Sequence, residues 1–537
     1  MTVFTTLLRI GMRRDRWQLL SWVLAFGLLM LFTASAMHST YGAQSAREAV
    51  MRFSLTNPAL LVVRGVPQGT SIGALFTFQI MAFTGLLIGL MSTFLVVRHT
   101  RADEEIGRAE LVAATRAGRT LPTIATAFWG VMVNAVITVV VFLACAAGSL
   151  PADGSLVFAL AIGATGIAFL GVGFVCAQVY STSRAANGWA AALVGLAYVV
   201  RGIGDATGTR SGEFTLRSGW ASWLSPIGWA QQTRPFEENI WWPMILGPVF
   251  GIVLFLATLA LQSVRDNGEG LVAARPGRRS ASAALRGPLA LAWRLQRASV
   301  VGWGVGALAI AFLAGSLGPD ALDAVVKDPQ VGNAVRSLVP GGNGSLMSVF
   351  IVAMMGIVGL IVAGCAMQCV MRLQQEEALG TAEVVLATRV GRLRWFAGYL
   401  VVGVTASVVI LLACGALTGA MLSGSDPALF GDSVGAALVQ LPAVLAYLAV
   451  LGLVFALLPR ATIGVGWAFL ALGAVFGEFG GLMKLPDWLR NLSPSTHTPA
   501  IPLPDADWSG AWWMIAVAIL AAALASAAIR RRDVAVG

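Results

Sequence analysis

The chain has 537 residues, 57% of them hydrophobic and only 12% charged, with a mean hydropathy of +0.79. A soluble domain carries about a quarter charged residues, so these figures exclude a water-soluble enzyme, a disordered chain and a collagen-like repeat. The net charge of +10 would suit nucleic acid, but the basic residues sit between apolar runs, where they read as the positive-inside signal of a membrane protein.

A helix that crosses a bilayer needs about 20 apolar residues, and twelve segments are candidates. The first is 17–37, preceded by Arg9, Arg13, Arg14 and Arg16. Ala34-Ser35-Ala36 mimics a cleavage site, but the apolar run exceeds the 7–15 residues typical of a signal peptide, so it reads as a retained span. The next five are 71–97, 120–150, 155–180, 185–200 and 241–263. A junction rich in Gly, Pro, Ser and Arg follows at about 264–297, ending in the basic amphipathic stretch ALRGPLALAWRLQR, which suits the surface of the inner leaflet. The opening dozen residues look equivalent. The second set is 298–318, 344–371, 395–423, 433–459, 461–477 and 509–529. The fifth segment of each set is short, stopping before Arg201 and before Glu478, which suggests helices that break or re-enter at one face.

Of the 36 Lys and Arg, 25 fall on the side of the N-terminus. The expectation is a multi-pass protein of the cytoplasmic (inner) membrane with both termini cytoplasmic.

Residues 103–119, DEEIGRAELVAATRAGR, align without a gap with 376–392, EEALGTAEVVLATRVGR, and ten of the 17 positions are identical. Gly188-Trp189-Ala190 echoes Gly466-Trp467-Ala468, Leu224-Ser225-Pro226 echoes Leu492-Ser493-Pro494, and Trp241-Trp242 echoes Trp512-Trp513. Arg265-Asp266 closes one half as Arg532-Asp533 closes the other. The chain therefore reads as an internal duplication. Its fold class is an all-α integral membrane protein of twelve transmembrane helices in two parallel six-helix repeats. The expected parts are a first half at 1–266, a junction with amphipathic helix at 267–297, and a second half at 298–537.

The repeated motif lies between the second and third helices of each half. A short charged segment tied to two spanning helices moves with them, so it suits docking of a cytoplasmic partner. Its candidate residues are Glu104, Gly107, Glu110, Thr115, Arg116 and Arg119, and their counterparts Glu377, Gly380, Glu383, Thr388, Arg389 and Arg392. Glu104 and Arg108 fit an i,i+4 pair, and Gly107 and Gly380 would permit close backbone approach. A solvated loop explains the arginines but not the shared Glu, Gly, Ala and Thr.

No catalytic constellation is legible. The only lysines, Lys327 and Lys484, follow Val326 and Met483, so no P-loop exists. Gly202, Gly204 and Gly208 read as a loop. Three histidines (His38, His99, His497) are too scattered for a metal site, and Cys145, Cys176, Cys365, Cys369 and Cys414 lie in apolar runs with no partner ligand. No ionisable group falls near the middle of a segment. Asn134, Gln79 and Gln178 read first as helix–helix glue. The second helix of each half supplies candidate cavity residues, Phe76, Gln79, Phe83, Phe350 and Met354, whose adaptable apolar surface suits amphiphiles; ordinary packing explains them equally well. Arg201 and Glu478 are a candidate outer gate, an ion pair between the halves. Trp241, Trp242, Trp512 and Trp513 read as interfacial belt residues.

The doubled EE-x-x-G-x-A-E…A-T-R-x-G-R loops, WLSPIGWAQQTRPF at 223–236 with the following Trp pair, the RDNGEG junction and LSPSTHTPAIP at 492–502 resemble the membrane permease of ABC-2-type exporters, in the group associated with polyketide antibiotic and multidrug export. The likeness spans essentially the whole chain. It implies an amphipathic helix before the first span, short re-entrant helices between the fifth and sixth, and coupling helices in the repeated loops. It also implies a separate ATPase subunit, two copies per chain, carrying the ATP and Mg, with no cofactor on this chain and no nucleic-acid partner. The implied function is export of hydrophobic or amphiphilic compounds by alternating access. Glu105 and Arg108 become Ala378 and Thr381 in the second loop, so the two docking sites need not be equivalent. The rivals are an ion-coupled secondary carrier, a membrane-embedded enzyme, and a permease for lipid or cell-wall precursors.

Overall fold

The computed structural model describes residues 3–115, 117–266, 268–272, 280, 287–327, 345–424, 426–478, 486–503 and 506–532. Among them, twelve helices are long and apolar enough to cross a bilayer. In hydrocarbon every backbone N–H and C=O must be satisfied within the segment, which is why these runs are helical. The chain divides into two compact units, Met1–Gly277 and Arg278–Gly537.

In the first unit the helices are α1 (Val3–Thr40), α2 (Gln44–Thr56), α3 (Pro58–Arg64), α4 (Ile72–His99), α5 (Arg101–Glu105), α6 (Arg108–Ala113), α7 (Thr120–Ala147), α8 (Ala152–Val179), α9 (Ser183–Ala206), α10 (Pro226–Gln231) and α11 (Leu246–Val264). A short hairpin joins β1 (Thr209–Arg210) to β2 (Leu216–Arg217). α4 and α8 form the buried centre. Small residues set that packing. A Cβ on Gly251 would meet the Ile167 carbonyl oxygen at 2.5 Å, and one on Gly247 would strike that of Ala164. This G-x-x-x-G face lets α11 touch the backbone of α8.

The second unit contains α12 (Pro288–Lys327), α13 (Leu346–Ala378), α14 (Thr381–Leu386), α15 (Arg392–Leu422), α16 (Ala428–Leu438), α17 (Leu441–Leu457), α18 (Thr462–Gly473), α19 (Asp487–Arg490) and α20 (Ser509–Arg531). α13 is largely buried, and α17 packs on α20 through Ala443, Ala446, Ala449, Ala518 and Ala521.

Several expected boundaries shift. The basic N-terminal stretch is not a separate surface helix: α1 runs unbroken for 38 residues, about 57 Å at 1.5 Å per residue. The segment expected at 433–459 is two helices, α16 and α17, because Pro442 cannot donate to the turn before it. α9 does not stop before Arg201 but continues to Ala206, taking in Gly202 and Gly204, so those glycines are helical rather than a loop. A Cβ on Gly202 would meet the Val62 carbonyl oxygen at 2.7 Å. The fifth helix of the second unit is short, ending in a π-helical turn at Ala474–Glu478.

Each repeated Leu-Ser-Pro begins a short helix between the fifth and sixth spans. Ser225 Oγ accepts from Ile227 N at 3.2 Å at the start of α10, and Ser493 Oγ accepts from Ser495 N at 3.4 Å before the 3-10 turn Pro494–His497. Serine at the cap and proline just inside it favour such starts.

Candidate docking loops and their buried clamps

The α4–α7 and α13–α15 connections carry the repeated motif. Each contains a short helix, α6 or α14, entered through glycine: Gly107 has φ +74° and Gly380 φ +70°. A Cβ at either would meet nothing within 4 Å. The left-handed backbone by itself calls for glycine at both positions. Thr115 Oγ1 donates to the Val112 carbonyl and Thr388 Oγ1 to the Val385 carbonyl, both at 2.6 Å, so the two threonines close the same turn in both loops. Arg116 lies outside the described residues.

The remaining candidates separate into two groups. Glu104 points inward. It accepts from Arg265 through Nη2 at 2.7 Å and Nη1 at 3.0 Å, and from Arg101 Nη1 at 2.8 Å. The side chains of Arg101 and Arg265 are 0% and 2% exposed. Arg101 also donates to the Ala177 carbonyl at 2.6 Å and 2.9 Å, and Arg265 Nε donates to Gln178 Oε1 at 2.9 Å. Arg119 Nη2 donates to the Arg265 carbonyl at 2.6 Å. The second unit repeats this design. Glu377 pairs with Arg532, Arg392 Nη1 donates to the Arg532 carbonyl at 2.5 Å, and Arg532 Nη1 donates to the Phe455 carbonyl at 2.6 Å. A carboxylate at the end of the second span thus grips an arginine at the end of the sixth, and the arginine opening the third span holds that residue's backbone. These four candidates are clamp residues.

The Glu104–Arg108 pair is not formed. Arg108 lies 3.5 Å from Asp103, which Arg14 of α1 binds at 2.8 Å. In this loop the closer geometry belongs to Arg101 and Arg265, whose donors meet both carboxylate oxygens.

Glu110, Glu383 and Arg389 are exposed. Around them stand apolar side chains that sequence reasoning passed over: Ile106 and Leu111 are 58% and 75% exposed, and their counterparts Leu379 and Val384 are 71% and 73%. The gap-free repeat holds the signal, since large apolar residues recur at both positions of an otherwise charged loop.

The other candidates fall within single units. Phe76 is fully buried, its ring 5.2 Å from that of Phe158 and 6.1 Å from that of Phe236, so it is a core residue and does not line an open cavity. Gln79 and Phe83 are partly exposed, one turn apart on α4, and Phe350 and Met354 share the corresponding relation on α13. Asn134 joins α7 to α4 through Ser92, its Nδ2 donating at 3.1 Å. All five cysteines are buried and free.

Arg201 has its partner within its own helix. It lies 2.9 Å from Asp205, both side chains are 0% exposed, and Nη2 donates to the Val62 carbonyl at 2.5 Å. Ser218 Oγ and Gln231 Nε2 donate to Asp205 at 2.6 Å and 3.1 Å. The guanidinium expected to face Glu478 is thus committed to a lock joining α3, α9 and α10, formed by an ion pair in the last turns of α9. The spacing of four in the sequence carried that signal. Glu478 ends the π-helical turn; its side chain lies outside the described residues.

Six apolar spans in each unit, with one exposed loop rooted in a buried clamp, define a duplicated, all-α, multi-pass membrane protein. The family described as "Multidrug efflux system permease Rv1217c, C-terminal domain" matches residues 285–530. The multidrug efflux system permease protein Rv1217c of Mycobacterium tuberculosis (strain ATCC 25618 / H37Rv) is 34% identical over 536 residues, which is 98% of this chain and 94% of that protein. The chain belongs to this family of efflux permeases.

Proposed function

We propose that the chain is the permease subunit of an ATP-driven exporter, moving hydrophobic or amphiphilic compounds, drugs among them, out of the cell. A separate ATPase, two copies per chain, docks on the two loops from the cytoplasm and supplies the ATP and Mg. Both termini are cytoplasmic on this reading. The observation that carries it is the recurrence, in both loops, of an exposed apolar and acidic tip on a buried carboxylate–arginine clamp. Apolar anchors beside a charge suit a specific protein contact, and the clamps tie each tip to the second, third and sixth spans. Domain assignments at 1–266, 267–297 and 298–537 fit one docking platform per half.

The test is Glu110→Arg with Glu383→Arg. The double variant should insert normally but lose ATPase binding and drug-stimulated ATP hydrolysis in proteoliposomes. Unchanged binding would refute the docking assignment. Transport driven by an ion gradient without any ATPase would favour the secondary carrier instead.

A further inference from the structure

We propose that a cavity under the first loop binds the phosphate headgroup of an anionic phospholipid, taken from the leaflet on the side of the N-terminus, and that the second unit has the matching position filled. The cavity, of about 140 Å³, lies among α1, α6 and α7. One water needs about 10–15 Å³ of such space, so it has room for roughly ten waters, enough for a phosphate group. Leu7, Leu8 and Ile10 of α1 line it, and Arg14, Arg108 and Arg119 border it from three elements.

Two carboxylates share the lining. Glu104 is already matched by Arg101 and Arg265. Asp103 is met by Arg14 at 2.8 Å, and Arg108, with its side chain 61% exposed, stands 3.5 Å from the same group. His99 also lines the cavity and pairs with Asp15, beside Arg98. Three arginines therefore border the cavity against Asp103, the one carboxylate that the clamp does not neutralise. The planar fork of arginine matches phosphate oxygens, and basic pockets between spanning helices suit anionic headgroups. A lipid fits better than a free anion because the basic groups adjoin apolar side chains where a span begins. Trp17, 70% exposed and three residues beyond Arg14, marks the interface. Arg9, Arg13 and Arg16 of the same helix are exposed and add attraction for an anionic surface.

The offset that aligns the loops, carried into the third span, sets Pro122 and Thr126 opposite Trp395 and Tyr399. Pro122 and Thr126 line the cavity. Trp395 and Tyr399 are 3% and 2% exposed, and they donate to Glu376, the counterpart of Asp103, at 3.3 Å and 2.6 Å. Two aromatic rings thus take the space that is open in the first unit and occupy the acid that would border it. Thr381 replaces Arg108 as well. A headgroup bound in the first unit bridges α1, α6 and the start of α7.

The experiment places the full-length protein in phosphatidylcholine nanodiscs with a trace of photoactivatable phosphatidylglycerol, or of its phosphatidylcholine analogue, and maps the crosslinks by mass spectrometry. The phosphatidylglycerol probe should label residues 7–14 and 108–126 several-fold more than its analogue, with no such excess at 381–399. Pro122→Trp with Thr126→Tyr leaves every charge in place and should remove the excess. Arg108→Gln should reduce it roughly fivefold, the contribution of one arginine beside an anionic surface. An excess that survives the filled cavity is attraction to the basic surface alone and overturns the proposal. Equal labelling by the two probes, or an equal excess in the two units, overturns it too. Displacement by millimolar inorganic phosphate at constant ionic strength would mark a free-anion site and refute the lipid assignment. Should the filled variant fail to fold, Arg108→Gln decides alone, and an unchanged excess there refutes the site.

Discussion

The two clamps differ in a way that fixes the order of their failure. Glu104 neutralises two cations, Arg101 and Arg265, whose side chains are 0% and 2% exposed. Glu377 neutralises Arg532, which is 18% exposed and keeps its bond to the Phe455 carbonyl. Glu104→Gln would leave two buried guanidinium groups side by side without the carboxylate they share. Removing one partner of a buried ion pair costs about 3–5 kcal/mol, and the second cation places this variant at the upper end. Glu377→Gln loses one charge-assisted contact to a partly solvated group, about 1–3 kcal/mol. A difference of about 2 kcal/mol is roughly a thirtyfold difference in opening. Amide exchange of residues 101–115 and 374–388 in nanodiscs reads each loop separately. Glu104→Gln should accelerate its own loop by two orders of magnitude or more, and Glu377→Gln by about tenfold. If Glu377→Gln opens its loop as much as Glu104→Gln, burial and cation count do not govern the clamps and the reasoning fails.

Replacing Gly107 or Gly380 by Ala should destabilise the loop by about 1–2 kcal/mol, because an L-residue resists the left-handed region; Asn should cost less, and the thermal midpoint of each variant in nanodiscs ranks them. Arg201→Met should cost about 3–5 kcal/mol by stranding Asp205, whereas Arg201→Met with Asp205→Leu should recover much of that loss, a pattern that thermal unfolding of both variants would check. The five buried thiols should resist a membrane-permeant maleimide until the protein unfolds, as mass spectrometry would show.

The spans were readable because hydrocarbon imposes one rule on every backbone group, and a long apolar run has a single good answer to it. The loops were readable because duplication printed the same motif twice. The clamps were not, since Glu104 and Arg265 are 161 residues apart and Glu377 and Arg532 are 155 apart. The echo of Arg265-Asp266 in Arg532-Asp533 marked two equivalent arginines without naming their partners. Arg201 misled for the opposite reason. A charge at the end of an apolar run reads as a boundary, but Asp205 one turn further on lets the helix carry both charges inward.

A loop that passes force into a membrane needs a tip that another molecule can reach and a root that does not yield. A tip without a root would deform, and a root without a tip would have nothing to pull. The repeated motif contains both, and burial tells them apart. Ile106, Leu111 and Glu110 face outward, while Glu104 faces the ends of three spans. Duplication preserved both features at the same spacing, and it did not preserve every contact around them. Glu105 accepts from the Ser183 amide at 2.8 Å, but its counterpart is Ala378; Arg101, with its two bonds to Ala177, has Gln374 as its counterpart. At these two positions the first root has fastenings that the second lacks. On the proposed reading, equal loads applied at the two tips would displace the second loop further before its spans followed, so the two halves would respond to one ATPase cycle with different compliance.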